Sequence, residues 1–456
     1  MHALSRTWRT LSCLVPLLVV TASIFIGCGG GGGGGGATTG DLVVGSNPPA
    51  AFLDATFAGG EGFLSLDDFF GSAQSTIEDA SGRYVVVGAV VVAGNQDAAV
   101  WRLNDDGTLD TTFGIDGIVI DAGAAGGLGF DGASDAAIDA SSRIVVVGTS
   151  ASPNGDLDVV VWRFLDDGTL DATFGVGGVA VAGNLLRDEQ AFTVEIDTQG
   201  RIVVGGVSQV PADSDPGQGA LWRFLDDGTL DLDFADNGAF LTGDAEDVVS
   251  DILIDLVDQV LVVGSRGDAL AIWLLDDIGE LVEGFADQGL ATYFDVDASL
   301  EGFSAAVYND ETFVVVGRRS PDVGEDEMAV FRFLGDGQVD FSFNGQGFLT
   351  YATTLGDSMA RSVSVAITGQ LVIAGTTTVI EEDESLSEVG ALWLVSAFGL
   401  FDPALGVNGV VHLADLSTED GGAASSVLID SQNRVLVSGF VVPDGLQAIA
   451  SLWRFP

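Results

Sequence analysis

The chain contains no lysine. All 16 of its basic residues are arginine, set against 67 Asp and Glu, for a formal net charge of −51. So little positive charge excludes binding to nucleic acid through its phosphates and argues against electrostatic docking on anionic lipid. Histidine occurs only at His2 and His412, and cysteine only at Cys13 and Cys28. Counting alone therefore removes a His- or Cys-rich zinc site. A Ser-His-Asp arrangement would have to use His412, which sits in the strand-like run Val410-Val411-His412-Leu413 and reads as a packed residue. No GxxxxGKS/T phosphate loop is present, and no stretch of about 10–12 residues carries a helical period. What the chain does have is apolar content, 47% of its residues, which excludes an acidic disordered chain. It also has 64 glycines without collagen spacing.

The first segment reads as an address. Arg6 and Arg9 precede an apolar run from Leu11 to Ile26, short for a spanning helix and suited to a signal-peptide core. Its end, Phe25-Ile26-Gly27-Cys28, resembles a bacterial lipobox. The resemblance implies cleavage before Cys28 and lipid on that cysteine, with 1–27 as signal peptide. Cys13 would be removed, leaving no second cysteine for a disulfide. Residues 28–51, with glycines from Gly29 to Gly36 and Pro48-Pro49, read as a flexible tether reaching roughly 25 Å. In the usual sorting pattern of such proteins, Gly29 in place of aspartate after the cysteine points to the outer membrane.

Residues 52–456 are periodic. An aromatic marker recurs at about 60-residue spacing, in Trp101-Arg102-Leu103, Trp162-Arg163-Phe164, Trp222-Arg223-Phe224, Trp273-Leu274-Leu275, Phe331-Arg332-Phe333, Trp393-Leu394-Val395 and Trp453-Arg454-Phe455. A second marker ends at Phe57, Phe113, Phe174, Phe234, Phe285, Phe343 and Leu405. Each unit holds four short strands, a to d. In one unit they fall at about Ala136–Asp139, Ile144–Gly148, Val159–Phe164 and Val179–Val181, with a tight turn at Asp166-Asp167-Gly168. The first marker is followed by a lone d strand, and Trp453-Arg454-Phe455 is a c strand whose own d strand is missing. The two halves predict an all-β, seven-bladed propeller of four-stranded blades, closed by an N-terminal strand that completes the C-terminal blade.

The combination Gly-Arg-Ile-Val-Val, Trp-Arg-Phe and Asp-Gly-Thr-Leu-Asp-x-x-Phe-Gly resembles the delta-60 repeat. The likeness runs from about Phe52 onward, with departures at Trp273, Phe331 and Leu405. It implies a propeller-like fold in exported or surface bacterial proteins and implies no particular activity.

Nine arginines occupy repeated slots. Arg102, Arg163, Arg223, Arg332 and Arg454 follow the strand-c aromatic, and Arg83, Arg143, Arg201 and Arg434 end the a–b turn. Repetition of this kind points to salt bridges with turn aspartates rather than to ligand contacts. The Asp-Asp-Gly-Thr-Leu-Asp turns lack the alternating ligands and bidentate glutamate of a calcium loop and suit turn chemistry. Acids also recur before strand a in every unit. With strand a innermost they would ring one mouth of the channel: Asp68, Asp135, Asp188, Asp247, Asp297, Asp357 and Asp420. Oxygen ligands of this type suit Ca2+, although acids at such positions also cap turns and keep a surface soluble. The long b–c loops share that face, whereas the opposite turns are short and uniform.

No catalytic constellation stands out, so the leading reading is a non-enzymatic, lipid-anchored envelope module. It would be monomeric, bind a protein or glycan through one variable acidic face, and hold the membrane through its N-terminal lipid. The alternative is a cation-dependent hydrolase or lyase at the acidic mouth. The lysine-free, acidic composition also fits a saline habitat, where self-repulsion is screened.

Overall fold

The computed structural model describes residues 53–456, except 67–69, 184–186, 210–216, 244–245, 310–311, 354–355, 381–384, 404–405, 407–408, 417–420 and 444–446. The tether and Cys28 lie outside the described residues, as do Asp68 and Asp420.

The described chain forms seven four-stranded antiparallel sheets. Blade 7 takes its outer strand from the other end of the sequence, β1 (Phe63–Ser65). Blade 1 is β2 (Gly71–Glu78), β3 (Tyr84–Val92), β4 (Asn95–Leu103) and β5 (Ile118–Asp121). Blade 2 is β6 (Asp131–Ile138), β7 (Ile144–Ala151), β8 (Leu157–Phe164) and β9 (Val179–Ala182). Blade 3 is β10 (Asp188–Ile196), β11 (Ile202–Gln209), β12 (Gln218–Phe224) and β13 (Ala239–Leu241). Blade 4 is β14 (Asp247–Ile254), β15 (Val260–Arg266), β16 (Ala269–Leu275) and β17 (Leu290–Tyr293). Blade 5 is β18 (Ala298–Asn309), β19 (Thr312–Pro321), β20 (Glu327–Leu334) and β21 (Phe348–Tyr351). Blade 6 is β22 (Ser358–Val365), β23 (Leu371–Ile380), β24 (Leu386–Val395) and β25 (Val410–His412). Blade 7 begins with β26 (Gly422–Ile429), β27 (Val435–Val441) and β28 (Ile449–Phe455).

The first strands β2, β6, β10, β14, β18, β22 and β26 each touch the next, and β26 touches β2, so they form the inner ring. The second strands are valine-rich, and the second and third strands are largely buried on both faces, because each sheet packs against a neighbour on either side. The core accordingly divides into seven clusters, one between each pair of adjacent blades. Val145, Val147 and Val161 of blade 2, for example, meet Val204 and Trp222 of blade 3.

Every first strand carries a β-bulge at the same place, between Ala73 and Ser75, Ala133 and Asp135, Ala191 and Thr193, Val249 and Asp251, Gly302 and Ser304, Ala360 and Ser362, and Ala424 and Ser426. A bulge breaks the two-residue alternation. This is why β6 begins at Asp131, ahead of the Ala136 start expected from the sequence. The bulge also fixes a glycine opposite it on the second strand. At Gly148 an added Cβ would lie 1.9 Å from the Gly132 carbonyl oxygen, so no larger residue fits.

Closure follows the sequence expectation. β1 pairs antiparallel with β28 in the register Phe63–Trp453, Leu64–Leu452 and Ser65–Ser451. Asp54 reinforces it by donating its amide to the Arg454 carbonyl at 2.8 Å.

Candidate functional site

The two faces of the ring are built differently. On the face of the a–b and c–d turns, one device joins blade to blade. Arg102 is buried, its Nε donates to Asp110 at 2.8 Å, and its guanidinium lies 4.6 Å over the Phe113 ring. Its Nη1 donates to the main-chain carbonyl of Asp166 in blade 2. Arg163, Arg223, Arg332 and Arg454 repeat the arrangement over Phe174, Phe234, Phe343 and Phe57, each reaching the next blade's turn carbonyl. The glycine of that turn is required by the same contact. Gly168 has a φ of +80° and a Cβ there would press on Phe113. The turn acids are engaged locally, since both the amide and hydroxyl of Thr108 donate to Asp106 Oδ1, at 3.0 and 2.6 Å. The repeated arginines and aspartates are structural.

The d–a and b–c loops form the other face, where the acids are held in different ways from blade to blade. Asp131 and Asp247 are almost fully buried at the starts of β6 and β14. Asp131 accepts the Gly123 amide at 2.8 Å, and Asp247 pairs with Arg266 at 2.8 Å. Asp188 accepts the Leu157 amide of the neighbouring blade at 2.9 Å. There it meets two further acids. Burial, with Asp156 and Asp188 beside it, pushes the Asp158 carboxyl up to about 6. Asp297 is exposed, and its carbonyl accepts the Asp322 amide at 2.8 Å. Asp357 is exposed and accepts the Asp326 amide at 2.8 Å. Among the described residues, no three or more His, Cys, Asp or Glu are grouped so as to hold a metal ion. His412 ends β25 with its Nδ1 3.8 Å from Asp415, and burial lowers its pKa against the pull of that carboxylate.

Asp135 lies within β6, immediately after the bulge and on the inner ring. In chain order, the residues at this position are Ser75, Asp135, Thr193, Asp251, Ser304, Ser362 and Ser426, a continuous polar belt. Several members reach across to the next blade. Asp135 Oδ2 accepts the Val194 amide at 3.0 Å, Asp251 Oδ2 accepts that of Ala305 at 2.8 Å, and Ser362 Oγ accepts that of Val427 at 3.1 Å. Thr193 Oγ1 donates to Asp251 at 3.1 Å. The belt therefore fastens the inner ring as the arginines fasten the outer turns.

Blades 2 to 4 break the sevenfold pattern of the belt. Two residues beyond it, Glu195 occupies a position held elsewhere by Ile77, Ala137, Leu253, Ala306, Ser364 and Leu428. Burial, then the Asp135 and Asp251 carboxylates on either side, push the Glu195 carboxyl up to about 8. Burial likewise raises Asp251 to about 6 and raises Asp135. A carboxyl that holds its proton near neutral pH is a chemically distinct group, able to give or take that proton.

Seven blades with an inner ring of first strands and a shared outer strand decide the architecture. The chain is a β-propeller repeat protein. The model of the domain of unknown function (DUF5122) beta-propeller matches residues 80–113, 140–174 and 200–234, which fall in the first three blades. No curated protein matches the sequence. Among solved structures, the propeller is similar to a catalytically inactive virginiamycin B lyase from Staphylococcus aureus. That match has 9% identity and a TM-score of 0.46, covering 86% of this chain and 98% of that one. It is also similar to the polysaccharide lyase Uly1, at 10% identity and TM-score 0.47 over 84% and 90% of the two chains. Sqt1 from Chaetomium thermophilum matches at 12% identity and TM-score 0.42 over 86% and 98%. At these identities and scores the likenesses carry no argument about function. Among the described residues, no helix is long and apolar enough to cross a membrane.

Sequence reasoning missed Thr193, Glu195 and Asp251 of the propeller's inner ring. The signal was available in register. Once the strand-b glycines are aligned, one column of the first strand holds only Ser, Thr and Asp, and Glu195 is the lone acid two places beyond it.

Proposed function

We propose that this propeller is a binding module of the bacterial cell envelope, anchored through lipid on Cys28. It would present its d–a and b–c loop face to a protein or glycan partner. The observation that supports this reading is the contrast between the two faces. One repeats a single buried arginine device at Arg102, Arg163, Arg223, Arg332 and Arg454, while the other, among the described residues, holds its acids differently from blade to blade and carries the loops of unequal length. A uniform scaffold with one variable face is how repeat folds present recognition surfaces. The resemblance of Cys28 to a lipobox cysteine and of the repeats to the delta-60 pattern supports an exported, outer-membrane location. Two measurements test this. Cys28→Ser should move the chain from the membrane fraction to the soluble fraction, and retention in the membrane would refute the anchor. Asp297→Asn with Asp357→Asn should weaken binding to purified envelope glycan, whereas Asp106→Asn on the opposite face should not. Equal binding by all three would refute the face assignment.

A second reading, a cation-dependent hydrolase or lyase, draws on Glu195. A carboxyl that keeps its proton to about pH 8 between two acids is suited to acid–base work. Ca2+ is the cation the surrounding oxygens would suit. Calcium titration followed by thermal melting tests it, and an unchanged midpoint would count against it.

A further inference from the structure

Blade 6 departs from blades 1 to 3 on the turn face. Its c–d turn is closed by the Ser396 amide donating to the Leu400 carbonyl at 2.8 Å, as the Leu165 amide donates to the Thr169 carbonyl in blade 2. In this register Phe398 stands where blades 1 to 3 hold Asp106, Asp167 and Asp227, and Leu400 where they hold Thr108, Thr169 and Thr229. The a–b turn, Ala366-Ile367-Thr368-Gly369-Gln370, replaces the aspartate and arginine at the two ends of theirs by Ala366 and Gln370. Both turns are thus uncharged in a chain of net charge −51. Losing an aspartate–threonine contact does not require large apolar side chains in its place.

The replacements point into solvent. Ile367 is 94% exposed, Phe398 73% and Leu400 59%. The two turns lie side by side, since a Cβ placed on Gly369 would be 3.8 Å from the Ala397 Cβ. Phe341 of blade 5, also exposed, extends the group, because the nearby Asn344 amide donates to the Phe398 carbonyl at 2.9 Å. Adjacent apolar side chains left in water mark a contact with protein or membrane. Where the chain enters the propeller favours the membrane. The first described residue, Leu53, joins among the turns. The Asp54 amide donates to the Arg454 carbonyl at 2.8 Å, and the Ala58 amide to the Asp106 carbonyl of the blade 1 turn at 2.7 Å. Lipid on Cys28 would therefore hold this face, rather than the loop face, within roughly 25 Å of a bilayer.

We propose that the turn face of blades 5 and 6 is a membrane-contact surface, on which Ile367, Phe398 and Leu400 enter the headgroup region of an uncharged bilayer. The inference rests on the lipid-anchor reading. Apolar side chains free of neighbouring charge enter that region favourably, and the net charge of −51 directs them to neutral rather than anionic lipid. The patch is small, but a tether raises its effective concentration at the surface and makes a weak contact sufficient. The contact also turns the loop face away from the membrane, toward a partner.

The test places the chain, as purified from membranes, on phosphatidylcholine vesicles in which some lipids carry a spin-label quencher. A polarity-sensitive fluorophore is attached through Thr368→Cys, beside Ile367, or through Asn154→Cys on the loop face. The probe at 368 should shift to the blue and lose about half its emission to the quencher, and the probe at 154 should do neither. Phe398→Asp with Leu400→Thr rebuilds the turn of blades 1 to 3, which the fold accepts, and should make the probe at 368 behave like that at 154. Unquenched emission from both probes, on protein that floats with the vesicles, overturns the contact and leaves the anchor standing. Protein that does not float overturns the anchor and this inference with it. A probe at 368 that is blue-shifted but out of the quencher's reach assigns the patch to a second copy and overturns the proposal. Quenching that survives the double substitution overturns it as well.

Discussion

Replacing Arg454 by methionine should open the ring at one place. Arg454 is fully buried, with Nε 2.8 Å from Asp54 Oδ2, Nη2 2.8 Å from Thr56 Oγ1 and the guanidinium 4.6 Å over Phe57. It also donates to the Asp105 carbonyl of blade 1. Methionine fills most of the volume but leaves the buried Asp54 carboxylate without its partner, a change that typically costs about 3–5 kcal/mol. Arg102→Met breaks the equivalent junction between blades 1 and 2 and should cost a similar amount. The two should differ in where the molecule opens. At Arg102 the strands on both sides of the junction belong to chain-continuous blades, whereas β1 is joined to β28 by non-covalent contacts alone, among which the Asp54–Arg454 pair is the charged one. Arg454→Met should therefore release the amides of Phe63–Ser65 to hydrogen exchange well before the rest, while Arg102→Met should not. Urea unfolding followed by tryptophan fluorescence gives the cost, and a cycle with Asp54→Ala gives the coupling, expected at about 2–3 kcal/mol. A cost below about 1 kcal/mol, or a coupling near zero, would refute the view that this contact closes the ring. Burial tends to raise the Asp54 pKa, but the Thr56 and Arg454 contacts outweigh it and leave the carboxyl below its ordinary value. Its contribution is thus present above the unfolded pKa of about 3.9 and is lost as pH falls through the lower folded value. Arg454→Met should flatten that acid limb.

Four other outcomes are expected. Gly148→Ala should destabilise by about 1–3 kcal/mol in urea, since its Cβ would meet the Gly132 carbonyl. Gly94→Ala, with nothing within 4 Å, should cost only the strain of its positive φ. Glu195 has a folded pKa of about 8, above its unfolded value, so it holds a proton that the unfolded chain releases and stability declines as pH rises from about 4.3 to 8. Glu195→Gln should raise the melting midpoint at pH 8.5 and leave it nearly unchanged at pH 4, and an equal shift at both would show that the carboxyl is not perturbed. Ending the chain after Val441 removes β28 and should abolish cooperative unfolding, so a soluble, sharply melting product would contradict the closure.

The number of blades and the closure were legible because each repeat carries a loud marker. The tryptophan of strand c fills an inter-blade core, and the phenylalanine before strand d lies under an arginine. The inner ring was harder to read because the bulge shifts the alternation by one residue within a strand of about eight. Asp135 thus looked like a loop acid when it is part of the strand. The glycines opposite the bulge were equally opaque, since in sequence they look like ordinary breaks at the end of a valine run. Glu195 became visible only when seven strands were laid in register, because it is defined by what its six counterparts are not.

The pairing of Asp54 with Arg454 joins residues 400 apart in sequence. Until Arg454 has been made, β1 has no partner, and blade 1 has an open flank where blade 7 will sit. Any process that handles the chain from its N-terminus, whether synthesis or passage through a membrane pore, therefore meets a string of blades that can begin to stack but cannot seal. Completion is a single late event of very high contact order. The chain should stay pliable for most of its passage and become rigid at the finish, when the last strand reaches the first.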